Sequence, residues 1–189
     1  MDYIVRKAAA NDNFNIAKTV TYSFEKIFRI FTRDMGRMAK VFESGVVTSR
    51  FYVAEQDGKM IGAVACGDCT QRVFNVRKSD CIKYLGAIRG RLAFRVIRAE
   101  LLRPHPYAAT TGYIDVIGVL PQARGKGVAK KLLSELIANN PKYTEFILDV
   151  DSINASAIKS YTSFGFVEYK RVTPMKFINR GKVFMRYKV

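Results

Sequence analysis

The chain has little of what several function classes require. Its 189 residues contain no apolar run near the ~18 that a membrane helix needs, and the opening Met-Asp-Tyr-Ile-Val-Arg lacks the design of a signal peptide, so a soluble cytoplasmic protein is expected. The three cysteines, Cys66, Cys69 and Cys81, are an odd and sparse set for a disulfide framework and suit a reducing compartment. Cys66 and Cys69 form one C-x-x-C, but with no second pair and no histidine nearer than His105 a structural zinc site is short of ligands, and no metal is expected. His105 is the single histidine and lies in Arg-Pro-His-Pro, a rigid connection, so a Ser-His or Cys-His nucleophile pair would have to use that one ring. Repeats, low-complexity tracts and linker-like stretches are missing too, which leaves a single domain over 1–189 as the economical organisation.

Acidic residues are also few. Sixteen face 32 lysines and arginines, and the formal charge of +16 predicts attraction to polyanions without choosing among a phosphorylated cofactor, an acidic acceptor, nucleic acid and an anionic membrane surface. With 49% hydrophobic residues the chain is globular rather than disordered.

Tyr3 to Lys7 reads as a first strand. Ile16, Ala17, Val20, Phe24, Ile27, Phe28 and Phe31 mark one helical face, and after a break near Thr32 to Asp34, Met35, Met38, Ala39 and Phe42 mark a second. Phe51 to Glu55 and Met60 to Ala65 read as strands joined at Asp57-Gly58, a hairpin signal. Residues 68–111 form a longer, largely helical connection, in which Leu85, Ile88, Leu92, Val96 and Ala99 are expected to pack inward and Arg91, Arg95 and Arg98 to line another face. Glu145 to Asp151 reads as the fifth strand and Asn154 to Ser163 as a helix. Phe166 to Val172 and Lys182 to Val189 close the chain across a long connection, Pro174 to Gly181; this region is strongly basic, with Lys170, Arg171, Lys176, Arg180, Lys182, Arg186 and Lys188.

The most informative stretch runs from Tyr113 to Ala129. An apolar β-branched run ends at Pro121, and Val128, Ala129, Leu132, Leu133, Leu136 and Ile137 then recur at helical spacing, so a helix is expected to start near Gly125. The first turn of a helix offers unpartnered N–H groups and partial positive charge. Gly125 and Gly127 remove the Cβ atoms that would hold a phosphate away, while Arg124 and Lys126 add charge, which together describe a diphosphate cradle. A Walker-type loop fails on spacing, because six residues separate Gly118 from Gly125 and Gly127 replaces the hydroxyl. A dinucleotide fingerprint lacks its third glycine, where Lys130 stands, although Asp149 lies at a suitable distance downstream.

Gln122, Gly125 and Gly127 match Q/R-x-x-G-x-G/A, with Val119 and Pro121 at the strand end, and Asn154, Ala157, Tyr161, Gly165 and Phe166 spell N-x-x-A-x-x-x-Y-x-x-x-G-F. Both patterns resemble those of the GNAT superfamily of acyl-CoA-dependent N-acetyltransferases. The resemblance implies an α/β (α+β) fold, a central mixed and mostly antiparallel sheet of about six or seven strands flanked by helices. It also implies transfer of an acetyl or acyl group from acetyl-CoA to a small-molecule or peptide amine. Backbone N–H groups from Arg124 to Ala129, with Val128 among them, would hold the diphosphate; Ile117, Gly118 and Val119 would pair with the pantetheine arm like an added strand and polarise the thioester carbonyl; Asn154 would orient that arm or cap its helix. Tyr161 is the candidate general acid, since a phenol near pKa ~10 can protonate a thiolate near ~8.5 without being ionised at neutral pH.

The family often carries glutamate where this chain has Tyr113. Asp115, two residues on and on the same side of the strand, would draw a proton through water or else pair with an arginine. Arg29, Arg33 and Asp34 stand where the resemblance puts the acyl acceptor. A basic binding protein for nucleic acid or a ribosomal partner is the rival class, and a homodimer stays open.

Overall fold

A computed structural model describes residues 2–173 and 181–189. Among the described residues seven strands form one sheet in the order β1-β2-β3-β4-β5-β7-β6, antiparallel throughout except for the β4–β5 pair. The strands are β1 Ile4–Lys7, β2 Phe51–Gln56, β3 Lys59–Gly67, β4 Thr111–Val119, β5 Glu145–Asp151, β6 Val167–Val172 and β7 Lys182–Lys188. Seven helices flank them: α1 Asn13–Ser23, α2 Glu25–Phe28, α3 Met35–Glu43, α4 Lys78–Leu85, α5 Ala87–Ile97, α6 Val128–Ala138 and α7 Ala155–Phe164. The β2–β3 hairpin turns at Asp57 (φ 51°) and Gly58 (φ 69°), the paired left-handed conformation that an Asp-Gly turn supplies.

Alternating side chains divide the core into two clusters, one on each face of the sheet. On one face Phe51, Val53, Ala63, Ala65 and Val116 pack against α1, α3, α4 and α5; on the other Ala54, Val64, Ile114, Leu148 and Val150 pack against α6 and Phe166. Two glycines set how closely helices approach. A Cβ on Gly62 would lie 3.1 Å from Val128 and Leu132 of α6, and one on Gly90 would lie 2.5 Å from the Cys81 carbonyl oxygen of α4.

Several element expectations shift. The first helix ends at Ser23 and restarts as α2 after Phe24, so Ile27 sits 45% exposed rather than on one continuous buried face. The pattern over 85–99 turns out to be out of phase. Gly90, Ala93 and Ile97 face the core, while Ile88, Leu92, Val96 and Ala99 are exposed, because only the Gly90 face lets α5 lie against α4. Arg91, Arg95 and Arg98 are exposed as expected. Gly86, at φ 83°, separates the two helices. Lys176, Arg180 and the connection 174–180 lie outside the described residues.

Candidate active site

The ladder between β4 and β5 contains three pairs, Thr111 with Glu145, Gly112 with Phe146 and Tyr113 with Ile147, although β4 continues to Val119 and β5 to Asp151. Beyond Tyr113 the β5-facing side of β4 therefore has no strand partner among the described residues, over the stretch that contains Ile117, Gly118 and Val119. Ile117 and Val119 are half-buried, and Gly118 is buried where α1 crosses, with Ser23 Cβ and Oγ 3.0 Å from its Cβ direction.

The glycine loop lies past the end of that strand. Gly125 and Gly127 adopt φ 75° and 77°, and nothing lies within 4 Å of a Cβ built on Gly125; at Gly127 the nearest atom is the Tyr3 hydroxyl, at 3.8 Å. Left-handed residues cannot continue an α-helix, so α6 begins at Val128 with Gly127 as its N-cap, three residues later than the spacing suggested. Arg124, Gly125, Lys126 and Gly127 are all exposed, while Val128 is buried and Ala129 half-buried. The turn is open, and the amides of Gly125 to Ala129 have no backbone acceptor among the described residues. The Arg124 amide departs from the expected cradle: it donates to the Pro121 carbonyl at 3.3 Å. Its guanidinium instead ties the loop to the strand and to α1, donating from Nε to Val119 O at 3.1 Å and from Nη2 to Ser23 O at 3.0 Å. Lys126 Nζ donates to the Gln122 carbonyl at 2.8 Å, and the Gln122 side chain faces solvent.

On β5, Asp149 lies between Leu148 and Val150, whose side chains fill the α6 cluster, so Asp149 points toward the α1–α5 face. Its Oδ1 accepts a short hydrogen bond from the Tyr113 hydroxyl, and its Oδ2 pairs with Lys182 Nζ at 3.0 Å; Lys182 in turn bonds Glu100 at 2.8 Å. Burial, and then the Asp149 carboxylate, push the Tyr113 phenol far above its ordinary range. The same two causes in the same order raise the Tyr161 phenol. Tyr161 projects from α7, edge-on to Phe166 with ring centroids 6.1 Å apart, and its hydroxyl has no hydrogen-bond partner among the described residues. Asn154 caps α7, its Oδ1 accepting from the Ala157 amide at 3.2 Å.

Asp115 occupies a β-bulge. Ala65 pairs with Val116 and Cys66 with Ile114, so the residue between them opposes nothing on β3. Its side chain is fully out of solvent, with Oδ1 accepting from Arg72 Nε at 2.7 Å and lying 2.9 Å from His105 Nε2. Of the two outcomes expected for Asp115, pairing with an arginine is the geometry found. The His105 ring stacks on Tyr113 with centroids 3.5 Å apart, and the Tyr107 ring lies nearly parallel to Tyr113 with centroids 5.6 Å apart. The proline-flanked connection thus buttresses Tyr113. The sequence carries a sign of this in Pro104-His105-Pro106 but nothing that locates its partner, and it marks Asp149 only by distance from the glycine loop. Cys66 and Cys81 are buried thiols, Cys81 pushed up to about 11 by burial and by Asp80, so neither is a ready nucleophile.

A family model for the Acetyltransferase (GNAT) family matches residues 21–166. The chain belongs to the GNAT family. It is 31% identical over 83 residues to N-alpha-acetyltransferase 30 of Saccharomyces cerevisiae, a match spanning 43% of this chain and 47% of that protein. The chain spans about half the length of the curated relatives it matches, 47% and 55%. In fold, it is similar to the ribosomal-protein-alanine N-acetyltransferase of Brucella melitensis (TM-score 0.63, 20% identity, 98% of this chain and 99% of that one). It is also similar to a chain of the NatC complex bound to Gag peptide and CoA (TM-score 0.60, 16% identity, 100% and 99%). At these identities the structural matches speak for the fold. Members of the GNAT family are acyltransferases that use acetyl-CoA as co-substrate.

Proposed function

We propose that this protein transfers an acetyl group from acetyl-CoA to an amine, and that the acceptor is the α-amine of a peptide. The observation that carries the reading is the pairing of an open, left-handed glycine turn with a strand whose ladder stops at Tyr113. One feature suits a diphosphate and the other an amide-bearing arm, and they are consecutive in the chain. The peptide acceptor is suggested by the similarity to N-alpha-acetyltransferase 30.

Acetyl-CoA supplies an activated acyl carbon and a thiolate leaving group. The Gly125 to Ala129 amides bind its diphosphate and the partnerless edge of β4 orients its arm. Tyr161 keeps its proton at neutral pH, because burial and Asp149 raise it, and donates to the departing sulfur. Asp149 is the better base. Asp115 is already neutralised by Arg72 beside His105, whereas Asp149 lies on β5 past the last β4–β5 pair, accepting from Tyr113, balanced by Lys182 and close enough to raise the Tyr161 phenol. An α-amine near pKa ~8 needs only modest help to lose its proton, which a carboxylate can accept directly or through one water. Asp115, with Arg72 and His105, then positions Tyr113.

A thiol-release assay across amino acids, polyamines, aminoglycosides and free peptide N-termini tests this. Release should be fastest with peptides; turnover of small amines alone contradicts the acceptor, and no release with any amine contradicts the transferase.

A further inference from the structure

Resting on that reading, we infer that the acceptor carries negative charge just beyond its reacting amine, and that Arg33 and Arg89 recognise it. The chain between α2 and α3 and the first turn of α5 border an open depression of about 480 Å³ lined by Arg29, Ile30, Phe31, Thr32, Arg33 and Arg89. Of its three guanidiniums, Arg29 pairs with Glu25 at 3.2 Å, while Arg33 and Arg89 have no carboxylate partner among the described residues. A concave surface with two uncompensated guanidinium forks fits a carboxylate or phosphate better than an ammonium or an apolar chain.

Its location ties it to the acceptor. Phe28 and Phe31 pack in the same cluster as Val116 of β4, on the sheet face toward which Asp149 points. The Phe24 ring lies 3.5 Å from the Cβ direction of Gly118, on the strand assigned to the thioester, and six residues lead from it to Ile30. With the amine at Asp149, the acceptor's next residues run along this face toward Arg33 and Arg89. The 68–111 connection joins the same wall twice, through Arg89 at the depression and through Glu100, bonded to Lys182 beside Asp149.

The test compares two peptides that differ by glutamate against glutamine at positions two and three. Thiol release gives kcat and KM, and binding of the N-terminally acetylated peptides gives a readout free of chemistry. The wild type should favour the glutamate peptide by roughly tenfold in kcat/KM, through KM, and in product binding. Arg33→Gln with Arg89→Gln should bring both ratios near one, and Arg98→Gln, exposed but away from the depression, should keep them. Equal use of both peptides by the wild type overturns the inference. So does a preference that survives the double change, or one that Arg98→Gln erases equally, which would assign it to bulk charge. Thiol release that persists without acid preference leaves the transferase standing; absence of release from every acceptor removes the transferase and this role together.

Discussion

Tyr161 and Asp68 show two uses of a perturbed side chain. Tyr161→Phe removes only an oxygen from a ring that keeps its contact with Phe166, so kcat should fall by about a hundredfold while acetyl-CoA affinity changes little. Unchanged turnover would clear Tyr161 of the acid role. Asp68 is structural. Burial would raise its carboxyl, but hydrogen bonds from Arg50 at 2.8 Å, from Thr70 and from Tyr143 at 2.7 Å outweigh that and hold it well below the usual carboxylate range. A carboxyl lowered in the fold contributes stability that is present above its unfolded pKa of ~3.9 and lost as pH falls toward the folded value, so denaturant midpoints should drop below about pH 4. Asp68→Asn should cost roughly 3 kcal/mol at neutral pH by leaving Arg50 without its charge partner, and should flatten that acid response. A variant as stable as the wild type at pH 7 would show that the pair contributes nothing.

Among the elements, α5 is where the sequence misleads most. Ile88, Leu92, Val96 and Ala99 make a convincing inward stripe with Leu85 by spacing alone. Leu85 does pack against the core, but helix packing turns the other four outward, because the α4–α5 contact is decided by how closely two backbones approach, and Gly90 is the residue that permits it. Gly90→Ala is the corresponding test. In an exposed helix it should stabilise by about 1 kcal/mol, but here a Cβ 2.5 Å from the Cys81 carbonyl should lower the thermal midpoint instead. A raised midpoint would mean that α4 and α5 pack less closely. The glycine turn was legible, since two glycines with flanking cations between an apolar strand and an amphipathic helix have few other uses. The Asp57-Gly58 hairpin and the strands were legible for similar local reasons. Asp149 was not, because its partner Tyr113 stands 36 residues earlier on another strand, and His105 was not, because its near neighbours Tyr113 and Asp115 come to the ring only once β4 bulges at Asp115 and the Pro104–Pro106 connection folds back on it.

For the whole molecule, the charge of +16 and the claim to be a GNAT enzyme make different demands. Arg91, Arg95 and Arg98 are exposed, so weak attraction to nucleic acid at low salt is expected. It should fade at moderate salt and leave thiol release unaffected; tight binding that those arginines control would favour the binding-protein alternative. The central claim concerns cofactor capture, and thermal unfolding with and without acetyl-CoA measures it directly. At about 100 times its dissociation constant a ligand adds ~2.7 kcal/mol, which raises the midpoint of a chain this size by roughly 5–10 °C. The account predicts that rise for the wild type and none for Gly125→Val with Gly127→Val, where φ near 75° and a new side chain close the cradle. No shift in the wild type at millimolar acetyl-CoA, or an equal shift in the double variant, would contradict it.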